Sequence, residues 1–189
     1  MICHKYQGGS SMIEVMVSVA IASISILGMV ELQAELQKKH VDGYQRAQAM
    51  MLLEGMVDNL VANRSAAQCY AITETSGTPY VGLGNDTTYN CAGIGTASTR
   101  AVADRDLALW DSLLKGSAES VNGENTGAME GARGCIKFDS AAETYTLSIA
   151  WQGLKATVVN ADNCASSSSY STVASRRVVS TTVRIADWD

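Results

Sequence analysis

A single carboxylate interrupts a membrane-like stretch near the N-terminus. The 21 residues 10–30, SSMIEVMVSVAIASISILGMV, are apolar or small except for Glu14. As a helix with a rise of about 1.5 Å per residue, this stretch spans about 31 Å, the thickness of the hydrocarbon core of a bilayer. A charge inside a membrane costs about 2.5–3.5 kcal/mol on insertion scales, and such residues usually have a function. We therefore expect Glu14 to have a specific partner.

The five cysteines divide into one that precedes the apolar stretch, Cys3, and four that follow it. An even set beyond a membrane segment predicts two disulfides in an oxidising compartment. Four cysteines allow three connectivities. We favour the pairing of neighbours, Cys69–Cys91 and Cys135–Cys164, because it closes the two shortest separate loops.

Two general interpretations of the N-terminal stretch leave features unexplained. A cleaved secretory signal fits Lys5 and the sequence Ala20-Ile21-Ala22, but it would place Glu14 in the hydrophobic region and stop short of the apolar residues that follow. A plain signal anchor places Lys5 in the cytoplasm and the larger part of the chain outside it. It accounts for neither Glu14 nor the pair Gly8-Gly9.

The sequence Gly9-Ser10-Ser11-Met12-Ile13-Glu14-Val15 resembles the class III signal of type IV prepilins. The resemblance implies that a prepilin peptidase cuts between Gly9 and Ser10 and removes residues 1–9, including Cys3. Glu14 then stands at position five of the mature chain, where it can neutralise the new α-amine of a neighbouring subunit in a filament. The family usually has Phe at position one, where this chain has Ser10, and methylation of that amine stays open.

Helical periodicity continues beyond the apolar stretch and predicts one helix over about residues 11–63. Residues 10–30 form its transmembrane or filament-core half and residues 31–63 its amphipathic half. The methionines of the second half, Met50, Met51 and Met56, are expected in the core, with an adaptable partner surface as the alternative.

Within the globular domain, residues 64–189, the stretch from Cys69 to Arg100 is predicted to be a loop with at most short strands. A short helix is predicted over residues 104–115, with Asp104 as its candidate N-cap and Trp110 as a core anchor. Four stretches predict strands, and the short link Gln152-Gly153 favours a hairpin: 135–138, 145–151, 154–159 and 179–185. The predicted fold class is α+β, type IV pilin-like: a long N-terminal helix packed on a small antiparallel sheet. The serine-rich tract 165–170 is expected to be a surface loop.

Four short segments in the C-terminal half are similar to the type IV pilus modification protein PilV family of minor pilins. The segments are Asp106-Leu107…Trp110, Gly131–Ile136, Ala150–Leu154 and Arg176–Thr181. This resemblance implies a structural subunit of a complex near the pilus tip that primes type IV pilus assembly. Its implied partners are the prepilin peptidase, other minor pilins, the major pilin, the assembly platform and inner-membrane lipid. The implied location is the inner membrane with the globular domain in the periplasm, and then the cell-surface pilus. The alternative within the superfamily is an I-type minor pseudopilin of a type II secretion system.

The sequence contains no pattern that predicts catalysis, a cofactor or a metal. The only histidines are His4 and His40, and no two cysteines lie close enough to form a short zinc-ligand pair. With a net charge of −5 and no long basic run, a nucleic-acid partner has no electrostatic support. Arg133, Arg176 and Arg177 are expected to be solvated charges at a strand edge, with a small basic patch as the alternative. We expect no enzymatic activity.

Overall fold

The computed structural model describes residues 11–84, 91–118, 120–122, 124, 125, 127, 129–157, 161–166 and 170–185. Two α-helices are present in this part of the chain, α1 (Met12–Ala62) and α2 (Ala97–Leu114). A 3-10 helix over Arg64–Tyr70 follows α1, and a short one over Val173–Ser175 precedes the last strand. The strands are β1 (Val81–Gly82), β2 (Ser120–Val121), β3 (Glu124–Asn125), β4 (Arg133–Asp139), β5 (Thr144–Gln152) and β6 (Arg176–Arg184). This α+β, pilin-like architecture is the predicted fold class.

Helix α1 begins and ends within one residue of the predicted bounds. The chain divides into two compact units between Val41 and Asp42, and we call the second unit, Asp42–Asp189, the head. Within the head, α1 buries one side chain every three or four residues, as the period of 3.6 requires: Ala49, Leu53, Met56 and Leu60. Of the three methionines, Met56 is in the core as predicted, whereas Met50 and Met51 are exposed.

The main sheet has the order β1-β4-β5-β6, with all neighbours antiparallel. In its middle, Leu147 on β5 lies between Ile136 on β4 and Thr181 on β6. Leu147 and Ile149 are fully buried and belong to the same hydrophobic cluster as the buried face of α1. Strands β2 and β3 form a separate two-stranded hairpin.

The predicted four-stranded sheet is present, but one of its predicted strands is wrong. Residues 154–157 form a bend and irregular backbone, and residues 158–160 lie outside the described part. The fourth strand is β1, in the stretch that we predicted to be mainly loop. With two residues, β1 is too short to show the alternation on which strand prediction depends. It pairs with the first residues of β4, and the Gly82 amide donates to Asp111 Oδ1 at 2.7 Å.

The predicted start of α2 at Asp104 is also wrong, because the helix begins seven residues earlier, at Ala97. Its N-cap is Thr96, whose hydroxyl accepts from the Thr99 amide at 3.2 Å while Thr99 Oγ1 accepts from the Thr96 amide at 3.0 Å. This is a capping box with threonine in place of the usual Glu or Gln. Because the third residue is not acidic, the sequence signature is easily missed.

The link after β5 is not a hairpin turn, contrary to the prediction. The chain leaves β5 at Gln152 and enters β6 only at Arg176. Gly153 is hydrogen-bonded to Ser175 O at 2.8 Å, so the two ends of this long connection lie side by side. The connection carries Cys164, whose disulfide determines its course.

Candidate processing and assembly segment

The N-terminal part of α1 exposes nearly all of its apolar side chains. Every residue from Met12 to Val30 is exposed, including Ile13, Ile21 and Leu27. Helix α1 is long and apolar enough to cross a membrane, and no residue of its most apolar 18-residue stretch is buried. This segment therefore has the composition of a helix whose apolar surroundings come from outside the subunit.

Three serines within this segment satisfy their hydroxyl groups on the helix itself. Ser18 Oγ donates to Glu14 O at 2.7 Å, Ser23 Oγ to Val19 O at 2.8 Å and Ser25 Oγ to Ile21 O at 2.9 Å. A hydroxyl bonded back to the carbonyl four residues earlier needs no solvent partner. In an apolar environment these serines therefore behave almost as small apolar residues.

Glu14 is the exception among the polar side chains from Met12 to Val30. Its carboxylate is exposed, and no described residue forms a hydrogen bond or ion pair with it. It lies in the first turn of α1, where the helix dipole favours a negative charge. Ser11 is the residue before the helix, and its carbonyl accepts a hydrogen bond from the Glu14 amide at 2.9 Å. Its hydroxyl accepts one from the Ile13 amide at 3.3 Å.

The predicted scissile bond, Gly9–Ser10, lies outside the described residues. The number of residues from the new N-terminus that cleavage would create to Glu14 is therefore known from the sequence alone. Glu14 is the fifth residue when Ser10 is counted as the first.

Both disulfides of the head join neighbouring cysteines, Cys69 with Cys91 and Cys135 with Cys164. Their Cα–Cα distances are 5.1 and 5.7 Å, within the usual range for the bond. The first disulfide joins the 3-10 helix after α1 to the segment that precedes α2. The second fastens the long connection between β5 and β6 to β4.

A buried polar network joins the end of α1 to α2. Tyr70 Oη donates to Asp106 Oδ2 at 2.7 Å, and Asn63 Nδ2 donates to Tyr70 Oη at 3.1 Å and to Thr99 O at 2.8 Å. Burial is the largest cause that raises the pKa of Tyr70, and the hydrogen bond to Asp106 raises this pKa further. The phenol therefore stays protonated and acts as a donor.

Arg133 is buried, with 6% of its surface exposed, so the predicted solvated role is wrong. Its Nε donates to Leu83 O and its Nη1 to Gly131 O, both at 3.0 Å. The guanidinium lies 5.6 Å from the ring centre of Tyr80 and 4.7 Å from that of Tyr170. Burial raises the pKa of Tyr170, against the lowering effect of Arg133. Arginine tolerates burial here because carbonyls and aromatic faces replace water.

The other two arginines also depart from the prediction. Arg176 is buried and donates through Nη1 to Cys164 O at 2.9 Å and through Nη2 to Asp162 O. Arg177 is partly buried, and its Nη2 lies 3.6 Å from Asp42 Oδ2 of α1. The three arginines therefore hold loops and α1 against the sheet instead of forming one basic patch.

Two of the segments quoted above for their similarity to minor pilins, Asp106–Trp110 and Gly131–Ile136, pack against each other in the head. Gly134 faces Trp110 so closely that an added Cβ would lie 2.6 Å from its ring. Trp110 is in the core, as predicted, and its Nε1 donates to Leu52 O of α1 at 3.1 Å. These residue types are needed for packing between α1, α2 and the sheet. In the described part of the chain no group of three or more metal-ligating side chains occurs.

Residues 4–30 match the family model described as the prokaryotic N-terminal methylation motif. The matched range contains the apolar stretch, Glu14 and the Gly9–Ser10 bond. No curated protein and no solved structure matches the chain.

Proposed function

We propose that the protein is a minor pilin that primes type IV pilus assembly, since its prepilin-type signal and pilin-like fold support a type IV pilin-like or pseudopilin subunit. Such a signal implies processing by a prepilin peptidase and incorporation into a pilus-like filament. The long apolar helix fits membrane anchoring before assembly. The finer assignments below are our proposals.

The peptidase, we propose, cuts between Gly9 and Ser10. The leader, residues 1–9, then leaves together with Cys3, and the four remaining cysteines form the two disulfides of the head. Residues 10–30 become the filament-core half of the helix, residues 31–63 the amphipathic half, and residues 64–189 the periplasmic globular domain.

One observation carries the assembly mechanism: Glu14 has no partner among the described residues, whereas the serines of the same segment satisfy their hydroxyl groups internally. Cleavage creates an α-amine at Ser10. A filament can then bring the amine of one subunit to the carboxylate of another inside an apolar bundle. A buried charge that loses its partner costs about 3–5 kcal/mol, so this pairing would select the correct register between subunits.

A minor rather than a major subunit is supported by the form of α1 and by the C-terminal phrases. Helix α1 runs without interruption through Glu31, near the position where many major pilins have a helix-kinking Pro. We propose that the subunit acts near the pilus tip with other minor pilins, the major pilin and the assembly platform. It would wait in the inner membrane with its head in the periplasm, and it has no enzymatic role.

The processing proposal is tested by producing the full chain with and without a prepilin peptidase and measuring the intact mass. We expect loss of residues 1–9 only when the peptidase is present. An uncut chain, or a cut after Ala22, would contradict the proposal. The same spectrum shows whether Ser10 carries a methyl group.

The pairing proposal is tested with Glu14→Ala, and Glu31→Ala serves as the matched control on the same helix. We expect Glu14→Ala to be cleaved normally and to enter pili on the order of a hundredfold less than the parent, as a loss of about 3 kcal/mol implies. Glu31→Ala should enter pili at the level of the parent. Normal incorporation of Glu14→Ala would refute the charge pairing.

The pseudopilin alternative makes the same predictions for cleavage and for Glu14. It differs in the filament that accepts the subunit. If the chain entered only the filament of a type II secretion system and left piliation unchanged, the alternative would replace the minor-pilin assignment.

A further inference from the structure

The main sheet ends at β6 in the described part of the chain. Among the described residues, β6 pairs with β5 alone, so its other edge presents free backbone amides and carbonyls. The stretch 178–183 reads Val-Val-Ser-Thr-Thr-Val, without proline, lysine or an acidic residue. Sheet edges that remain solvated usually carry one of these protective residues, a bulge or a covering element. An edge of this composition is suited to pairing with another strand.

A groove runs along this edge beside α1, and we call it the α1–β6 groove. One cavity of about 480 Å³ lies between Met50, Leu53 and Val57 of α1 and residues 178–181 of β6. A second cavity of about 510 Å³ continues it toward Asp42, and the two share Arg46, Val178 and Val179. From Asp42 to Asp58 the helix extends about 24 Å. Six residues of an added strand cover about 20 Å, which matches this length.

The groove contains apolar surface and unsatisfied polar atoms. Met50 is 39% exposed, although its neighbours Leu53 and Met56 are buried. At the other end, Trp151 Nε1 and Asp42 Oδ1 are buried and form no hydrogen bond in the described part of the chain. Buried donors and acceptors are nearly always paired in a finished structure. A segment that fills the groove would cover the exposed side chain of Met50.

The helix wall of the groove is acidic at its far end. Glu54 and Asp58 lie one turn apart, both are exposed, and neither forms an ion pair with a described residue. Arg46 lies two turns before Glu54 and is also exposed. Complementary charge therefore requires a basic side chain on the occupant near Glu54 and Asp58.

We infer that the α1–β6 groove receives an extended strand of a neighbouring pilus subunit, which adds a fifth strand to the sheet. The strand alternates apolar side chains, directed at Met50 and Val57, with polar side chains on the opposite face, and it carries a lysine or arginine against Glu54 and Asp58. Backbone pairing supplies the attraction and the groove supplies the selectivity. The inference rests on the proposed function, because only an assembling subunit has such a neighbour.

The test compares two lysine substitutions in the full chain during assembly. Thr181→Lys places a charge on β6 inside the groove, beside Glu54 and Asp58. Thr146→Lys is the matched control, because Thr146 lies on β5, one strand in from the edge, and contacts Thr182 on the other face at 3.4 Å. We expect both variants to be processed normally, but Thr181→Lys to enter pili about tenfold less than the parent. Thr146→Lys should enter at the level of the parent.

A second pair tests the charge of the groove without altering the strand. Glu54→Lys changes an exposed helix residue in the groove, and Asp104→Lys makes the same change on the exposed face of α2. We expect Glu54→Lys to lower incorporation and Asp104→Lys to leave it unchanged. This pair decides the question if Thr181→Lys fails to fold, as judged by its disulfides and its melting temperature.

The possible outcomes distinguish a failure of the docking inference from a failure of the proposed function. If the parent enters pili and both groove variants do so equally well, or if groove and control variants fall together, the docking inference is wrong and the minor-pilin proposal stands. If the parent never enters pili, the proposed function fails and the inference fails with it. If the purified chain forms dimers in detergent that Thr181→Lys abolishes, the occupant is a second copy, which overturns the assignment to a different neighbour.

Discussion

Helix α1 contains two segments whose side chains differ in burial, although both segments belong to one continuous helix. Between Met12 and Val30 every side chain is exposed, whereas between Ala49 and Leu60 one face is buried in the core of the head. Leu27 is 71% exposed and Leu60 is fully buried. The head therefore has its own core, whereas the described part of the chain buries no residue from Met12 to Val30. Both segments are helical. They differ in whether other parts of the described chain pack against their side chains.

A carboxylate in the head and a carboxylate in the N-terminal segment also differ in their hydrogen-bond partners. Asp106 in the head is buried and accepts a hydrogen bond from Tyr70 within the same chain. Glu14 in the N-terminal segment has no partner among the described residues. The carboxylate of Asp106 is thus satisfied within the head, and under the proposed function that of Glu14 is paired during assembly.

The largest effect is expected from the same substitution at the two leucines. Leu60→Ala should lower the free energy of unfolding of the head by about 3–5 kcal/mol, because it removes buried atoms and leaves a cavity. Leu27→Ala should leave this free energy unchanged. Chemical denaturation followed by tryptophan fluorescence measures both, since Trp110 and Trp151 lie in the core. Equal losses would mean that the exposed segment takes part in the stability of the head.

Removal of the second disulfide should have the next largest effect. Replacing both Cys135 and Cys164 by Ala opens a loop with a sequence separation of 29 residues. The expected loss is about 3–4 kcal/mol on the chain-entropy model. Denaturation of the variant beside the parent measures this loss. The helix content of the N-terminal segment, measured by circular dichroism in micelles, should not change; its loss would break the comparison.

Removal of the Tyr70 hydroxyl should have a smaller effect. Tyr70→Phe leaves Asp106 Oδ2 and Asn63 Nδ2 without their shared partner, and we expect a loss of about 1–3 kcal/mol. Tyr44→Phe is the control, because Tyr44 is exposed on α1. A loss for Tyr44→Phe that equals the loss for Tyr70→Phe would contradict the network.

The smallest effect is a dependence of stability on alkaline pH. The pKa of Tyr70 is raised above its ordinary value of 10.0 in the folded state, so the unfolded state loses its proton first as the pH rises. The contribution of Tyr70 is therefore complete below about pH 10 and is lost progressively above it. Denaturation curves at pH 8–11 should show a steeper fall for the parent than for Tyr70→Phe. Parallel falls would assign the effect to other groups.

The sequence was sufficient where periodicity or spacing is strong. Helix α1 has a repeat over some fifty residues, and β5 has regular alternation, so both were predicted with nearly correct bounds. The charge of Glu14 and its place in the apolar stretch are given by the sequence itself, and its pairing stays a prediction. The position of the cleavage site also follows from spacing alone, and it stays a prediction.

The sequence was insufficient where a long-range contact determines the structure. Strand β1 is defined by the antiparallel pairing of its two residues with the start of β4, and no local sequence pattern predicts this pairing. The burial of Arg133 depends on Tyr80 and Tyr170, which lie more than thirty residues away on either side. The groove beside β6 depends on how α1 packs on the sheet, so only Met50 gave any signal of it, as a possible partner surface.

The serine hydroxyls of the N-terminal segment have a thermodynamic consequence for movement. Since Ser18, Ser23 and Ser25 keep their hydrogen bonds on the helix, the segment exchanges no polar contacts when it passes from one apolar medium to another. The three hydroxyl groups therefore add almost nothing to the free energy of transferring the helix between two apolar surroundings. Under the proposed function, the passage of the helix into the filament then depends on whether the Glu14 carboxylate meets the α-amine of a neighbouring subunit.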